Sequence, residues 1–286
     1  MFTCKIENEA GEVLELTGHD KDYQVYEISG LNPPAAQINM STLVGLDGAR
    51  FNSSKLNTRQ IVIMLALNGD VEANRLRLYH GARTKEKIRF YITTDTRNVY
   101  IDGYVESLEV LIFAMKQTAQ IGIICPYPYF SALDEILADS SNVLSDFTFP
   151  FSIEDDTPVV LSELLDSDGI IVYNMSEAPT GAIINIQFNA SASSVRIRNT
   201  GTGADFGLSY SFQNGDVVII NTNIGQKSVS LIRNGVITNL FPALIAGSTF
   251  LMLEPGINTF NYLVDGAEPT GQVEIQFRYR NVYRGV

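Results

Sequence analysis

Cys125, in the stretch IICPYPYF (123–130), is the residue whose type first suggests chemistry, as a nucleophile or a metal ligand. A thiol attacks or ligates as thiolate, and a nearby cation is the usual means of lowering its pKa. No basic side chain lies between Lys116 and Arg196, and no second ligand type lies within sequence reach of Cys125. Ile121, Ile123 and Cys125 alternate on one face of a strand, which predicts a small buried thiol. The histidines are His19, in the polar stretch TGHDKD, and His80, at the end of a helix-like segment; neither sits in a triad-like setting. No G-x-S-x-G elbow, phosphate loop or H-E-x-x-H pair occurs. The glycines of GTGADFG (201–207) precede a strand-like run, so they read as a hairpin loop rather than a nucleotide fingerprint. Glu154, Asp155 and Asp156, and the pair Asp166 and Asp168, lack the spacing of a calcium loop and read as solvated acidic loops. The expectation is therefore no catalytic residue, no metal and no cofactor: not an enzyme.

The elements around these residues are mostly strands. KIRFYITT (87–94) and VYIDGYVESLEV (99–110) form a hairpin about Asp95–Asn98, with Val99, Ile101, Gly103 and Val105 on one face. RQIVIMLAL (59–67) is continuously apolar and suits a strand covered on both faces. VEANRLRLYH (71–80) predicts a helix capped by Asp70 and ended by Gly81. Pro126 and Pro128 each remove a ladder donor and end the strand before them. The capping-box spacing of Ser131 and Asp134 predicts a second short helix. From residue 143 onward strand follows strand: AIINIQFNA (182–190), SVRIRN (194–199), FGLSYSF (206–212), DVVIINT (216–222), SVSLIR (228–233) and VEIQFRYRNVY (273–283). Asn234-Gly235 supplies a type I′ turn. This pattern predicts two mostly β domains, 1–130 and 146–286, joined by a helical linker over 131–145. The second domain reads as an antiparallel sandwich.

The 286 residues carry 20 basic and 32 acidic side chains, a formal charge of −12. Phosphate neutralisation needs clustered cations, so specific nucleic-acid binding is not expected. No apolar run approaches the roughly 20 residues of a membrane span, so membrane insertion is not expected. Two cysteines and no leader-like N-terminus suit a soluble chain made in a reducing cytoplasm. Carbohydrate binding is the alternative for a β-sandwich. The chain has no Trp, and its 13 Tyr, such as Tyr210 and Tyr279, fall in strand patterns that suit core positions equally well.

The ordered motifs resemble those of distal tail proteins of long-tailed, non-contractile bacteriophages, including prophage-encoded ones. They are YEISGLNPPAA (26–36), VGLDGARF (44–51), NTRQIVIMLALNGD (57–70), VEANRLRLYHGA (71–82), DTRNVYIDGYVESLEV (95–110), QIGIICPYPYF (120–130), NGDVVIINTNIGQKSVSLIRNG (214–235), FLMLEPGINTF (250–260) and VEIQFRYRNVYRGV (273–286). Tyr127 stands where a polar residue, often Asp, is usual. The residues that carry the pattern are Gly30, Pro33, Pro34, Gly103, Cys125, Pro126, Pro128, Tyr129, Gly215, Asp216, Pro255 and Gly256. The resemblance implies an N-terminal tail-tube-like β-sandwich with a flanking helix and a C-terminal galectin-like sandwich. It implies a homo-oligomer, a hexameric ring at the distal end of the tail tube within the virion tail tip. The implied partners are the tail tube protein, the tail-associated hub, lysin or adhesin, and receptor-binding or baseplate proteins.

Overall fold

The computed structural model describes residues 2–17, 22–42, 44–45, 47–139, 143–145, 162–164, 169–265 and 273–286. His19 and the carboxylates of Glu154, Asp155, Asp156, Asp166 and Asp168 lie outside the described residues. The chain forms two units, one of residues 1–133 with 282–286, the other of residues 134–281.

The first unit contains β1 (Thr3–Asn8), β2 (Val13–Glu15), β3 (Tyr23–Ser29), β4 (Ala36–Thr42), β5 (Ala49–Leu56), β6 (Arg59–Leu67), α1 (Val71–Gly81), β7 (Lys87–Thr93), β8 (Asn98–Val110), β9 (Thr118–Cys125) and β10 (Phe130–Ala132). Its main sheet runs β2-β1-β7-β8-β9-β6-β3. The two halves of β8 have different partners. Asn98–Tyr104 pairs with β7, and Tyr104–Val110 pairs with β9 across a bulge between Val105 and Ser107. A bulge sharpens twist and bends its strand. The sheet thereby encloses one core that includes Ile6, Ile61, Ile63, Phe90, Ile101 and Ile121, with Leu78 of α1. Val99, Ile101, Gly103 and Val105 face inward, as their period of two requires. The outer side of β6 is less covered than its apolar run suggests: Gln60 is exposed and Val62 and Met64 are half-buried.

Asp70 caps α1, its Oδ1 accepting from Ala73 N at 3.1 Å. Gly81 ends the helix for another reason than a left-handed backbone. A Cβ there would lie 3.3 Å from Leu14 Cδ2, so the glycine allows close approach to β2.

The helix expected from Ser131 does not form. Ser131 and Ala132 instead pair with Tyr100 and Val99, and β11 (Ile136–Asp139) follows. The capping-box signal is local, whereas two sheet edges offer hydrogen bonds and burial to both short segments. Residues 143–145 and 162–164 form β12 and β13, a small antiparallel pair. The remaining strands of the second unit are β14 (Gly169–Asn174), β15 (Ala182–Phe188), β16 (Ala192–Asn199), β17 (Asp205–Phe212), β18 (Val217–Asn221), β19 (Ser228–Arg233), β20 (Val236–Asn239), β21 (Gly256–Asp265) and β22 (Val273–Tyr279). They form two sheets, β11-β22-β15-β18-β19-β20 and β14-β21-β16-β17. Their inner faces share one core. Phe260 stacks on Phe277 at 4.6 Å, and Phe188 on Phe212 at 4.2 Å. The β19–β20 turn has Asn234 at φ 51° and Gly235 at φ 78°, as type I′ requires.

The C-terminal residues depart from the expected boundary. β23 (Val282–Tyr283) pairs with Phe130 and Ser131, so the chain returns to the first unit. The second unit is inserted between β10 and β23.

Asp216 anchors the second unit's β17–β18 turn. Its buried carboxylate accepts from Gln213 N at 2.8 Å and from Arg233 Nε and Nη2 at 2.8 and 2.6 Å. The Arg233 pair, then the Gln213 amide, hold its pKa below the ordinary 3.8 against the opposing effect of burial. A depressed carboxylate stabilises the fold above its unfolded pKa and loses that contribution as pH falls through the folded value. Acid unfolding of this unit should therefore show a component below about pH 3.8. Asp216→Asn should remove that component and cost about 2 kcal/mol at neutral pH, since Arg233 retains access to water. Urea melts at pH 7 and pH 3 check both.

Candidate assembly site

The structure gives Cys125 no activated thiol, for a reason the sequence does not display. Strand pairing places Arg59 directly across from Cys125, so a cation is present after all. Burial nevertheless pushes the thiol up to about 12, and Arg59 offsets only part of this. Cys125 packs against Gly103, where an added Cβ would lie 2.9 Å from Sγ. Cys4 is equally buried, with its thiol also raised to about 12. His80 lies on the surface, its Nδ1 3.3 Å from a Glu12 carboxylate oxygen. GTGADFG comprises the β16–β17 hairpin loop and the first residues of β17, the loop held by Asn199 Oδ1 accepting from Gly201 N and Thr202 N. Among the described residues no group of three or more His, Cys, Asp or Glu could hold a metal, and no helix is long and apolar enough to cross a membrane.

Many of the motif residues of the first unit converge on Arg59, which is 3% exposed. Its Nε donates to Pro128 O at 2.7 Å and its Nη1 to Asn32 O at 2.7 Å and to Gly30 O. Nη2 donates to Arg284 O, and the guanidinium lies 4.5 Å above the Phe130 ring. All these partners are carbonyls or a ring face, and among the described residues no carboxylate pairs with Arg59. Burial lowers the guanidinium's pKa, yet an Arg remains protonated. The fork donates to acceptors on three separate chain segments and ties them together.

The motif residues fill the space around this junction. Gly30 has φ +85°, and a Cβ there would sit 2.0 Å from Gln60 O. Val286 N donates to Leu31 O, and Gly285 packs against Pro33 closely enough that a Cβ would lie 3.1 Å from its Cδ. Pro34 follows at the entry to β4. Pro126 closes β9, and Tyr127 and Tyr129 pack at 5.1 Å across Pro128. Arg97 donates to Gly285 O and lies 4.4 Å over Tyr283. Of these, the sequence pattern singles out Gly30, Pro33, Pro34, Pro126, Pro128 and Tyr129; it misses Arg59, Asn32, Arg97, Arg284 and Gly285. The available signal was an arginine opening an otherwise apolar strand. Gly215 (φ 88°) and Asp216 form one turn, and Pro255-Gly256 (φ 98°) leads into β21.

Arg59 also marks the base of a projection that sequence reading did not resolve into strands. β4 and β5 pair only with each other among the described residues, and nearly every residue in them is exposed. Ile38, Met40 and Phe51 on the strands and Val44 at the tip are among the exposed apolar residues. At the opposite end of β6, the β8–β9 loop presents Leu111, Ile112, Phe113 and Met115, with Phe113 and Met115 fully exposed. An isolated two-stranded hairpin is marginally stable in water.

Residues 175–283 match the family model for the C-terminal domain of siphovirus-type tail components. Among curated proteins none matches. The fold is similar to that of the Dit protein of phage SPP1, described as a paradigm of the hub adsorption apparatus of phages infecting Gram-positive hosts. The TM-score is 0.67 at 16% identity over 98% of this chain and 99% of that one. It is also similar to a chain of the phage p2 baseplate in its activated conformation with strontium, with TM-score 0.55 and 12% identity over 97% and 98% of the two chains. The corresponding calcium structure gives 0.52 and 13% over the same shares. Residues 175–283 thus resemble the C-terminal domain of siphovirus-type tail components, and the whole chain shares its fold with the Dit protein of phage SPP1.

Proposed function

We propose that this phage tail component forms a hexameric ring at the distal end of the tail tube, in the virion tail tip. The first unit builds the ring and meets the tail tube protein and the hub, lysin or adhesin. The second unit docks receptor-binding or baseplate proteins, and assembly takes place in the host cytoplasm. The role is structural and non-enzymatic. The observation that carries the ring is the β4–β5 hairpin. It has apolar side chains, no sheet of its own to join, and a fixed base at Arg59. The main sheet meanwhile ends on β3, whose outer edge has no strand partner among the described residues. A protruding element on one copy and an open edge on the next make a heterologous contact, the kind that closes into a ring. The apolar loop around Phe113, at the other end of the strands, supports contacts with a neighbour along the tube axis.

Light scattering on purified protein, alone and with the tube protein added, tests this. The expected mass is about six times 31.5 kDa, with rings visible by electron microscopy. A monomer at high concentration that forms no ring with its partners overturns the reading. Met40→Asp with Phe51→Asp should abolish the ring while leaving the fold intact, because both side chains are already exposed.

A further inference from the structure

The β4–β5 hairpin is exposed on both faces along nearly its whole length, so its orientation is set at its base rather than by burial. One leg enters β4 through residues 30–35, and the other leaves β5 through residues 57–59. Below the last ladder pair, Ala36 with Leu56, Asn57 N donates to Ala35 O at a long 3.4 Å. Residues 284–286 tie both legs from outside the hairpin. On the entering leg, Val286 N donates to Leu31 O at 3.2 Å. There a Cβ on Gly285 would stand 3.1 Å from both Leu31 O and Pro33 Cδ. On the leaving leg, Arg59 Nη2 donates to Arg284 O.

These residues have a seat of their own. β23 pairs with β10, and Tyr283 and Val286 pack against the core of the first unit. Arg97, from the β7–β8 turn, donates to Gly285 O and lies 4.4 Å over the Tyr283 ring. A two-residue strand held by a handful of bonds is the kind of segment that opens locally, without global unfolding. Its place in the chain matters as much. Residues 134–281 are synthesised before it, and folding during synthesis proceeds from the N-terminal side. The base of the hairpin is therefore completed only after the second unit has been made.

We propose that residues 282–286 are a strap that sets the hairpin. Seated, the strap fixes both legs and presents the apolar side chains of β4 and β5 for assembly. Unseated, it releases both legs together. A chain whose second unit is incomplete then carries a loose hairpin and stays out of the ring, so assembly waits for residues 134–281. The link to assembly rests on the ring reading; the link between strap and hairpin does not.

The test uses the full chain. Gly285→Val crowds the strap against Leu31 and Pro33 while leaving every hairpin residue and Arg59 unchanged. Arg97→Ala removes the clasp on Gly285 O. Trypsin digestion followed by mass spectrometry scores the bonds after Arg50 and Lys55 on the hairpin and after Lys87 and Arg89 on β7. Gly285→Val should speed cleavage on the hairpin at least tenfold, and Arg97→Ala by a smaller factor, with β7 still resistant in both. Combined, the two substitutions should exceed Gly285→Val alone by less than twofold, because a strap already unseated has no clasp to lose. Hairpin cleavage at the wild-type rate in both variants overturns the proposal. So does cleavage that rises equally on the hairpin and on β7, since residues 282–286 would then belong to the general core. Full multiplication of the two effects overturns it as well. Light scattering on the same variants reads the ring separately, and Gly285→Val is expected to lose it. Fast hairpin cleavage with an intact ring would overturn the ring reading and the assembly role, and would leave the strap's hold on the hairpin standing.

Discussion

Replacing Arg59 by methionine is expected to unfold the first unit under conditions where the second still melts normally. Methionine keeps most of the aliphatic stem and removes the fork. Four carbonyls, those of Gly30, Asn32, Pro128 and Arg284, then lose their donors, and Phe130 loses the cation above it. An unsatisfied buried acceptor costs about 1–3 kcal/mol, less where water can enter. Asn32 and Arg284 are exposed, so their carbonyls regain water most readily; Gly30 and Pro128 are less open. The sum is about 4 kcal/mol or more, comparable with the whole stability of a small domain. Removing the charge also removes its desolvation cost, which is why the loss falls short of four full acceptor penalties. Calorimetry on the full chain should resolve two transitions. In the variant the one belonging to the first unit should drop by more than about 10 °C, while the other stays in place. Arg59→Lys should fall between wild type and Arg59→Met, because a single ammonium lacks the fork geometry needed to reach carbonyls on three segments. A shift of under about 2 °C in Arg59→Met would mean that the carbonyls find other donors, and that the junction is not held by this residue.

Arg59 also shows why only part of this molecule was legible in its sequence. Periodicity reports which side of a strand is buried, and β8 illustrates this, since Val99, Ile101, Gly103 and Val105 face the core as spacing alone requires. The Asp70 cap and the Asn234-Gly235 turn were equally readable, because each is decided within four residues. The failures share a cause. Ser131 looks like a helix cap until Tyr100, 31 positions earlier, offers it a strand to pair with. Cys125 looks remote from any cation until strand pairing sets Arg59 opposite it. The return of Val282–Val286 to the first unit is a contact across some 150 residues, and no local pattern encodes it. The hairpin strands β4 and β5 lack a buried face, so the alternation that reveals other strands is missing from them. The elements least visible to pattern reading are therefore those whose pairing is non-local or whose faces are both exposed.

Gly30→Ala should be the more damaging of two glycine substitutions that look alike in backbone terms. Gly30 and Gly11 have almost the same positive φ, +85° and +79°. An alanine at either position pays the left-handed penalty of about 1–2 kcal/mol. They differ in what a methyl group would meet. At Gly11 nothing lies within 4 Å. At Gly30 the new Cβ would stand 2.0 Å from Gln60 O and 3.0 Å from both Gln60 C and Ile61 Cα, all backbone atoms of β6. A side chain could rotate away, but the backbone of a strand held in a sheet cannot. β6 is held by β9 along Arg59–Ala66 and by β3 along Val62–Leu67. Relief must therefore come from moving the loop of Gly30, and that loop carries two of the carbonyls bound by Arg59. The clash and the junction are coupled, so the cost of Gly30→Ala should exceed that of Gly11→Ala by more than about 3 kcal/mol. Urea midpoints of the first unit measure the difference. In the background of Arg59→Met the penalty of Gly30→Ala should shrink, because the loop is then already released. Full additivity in that double-mutant cycle would show that Gly30 and Arg59 act independently.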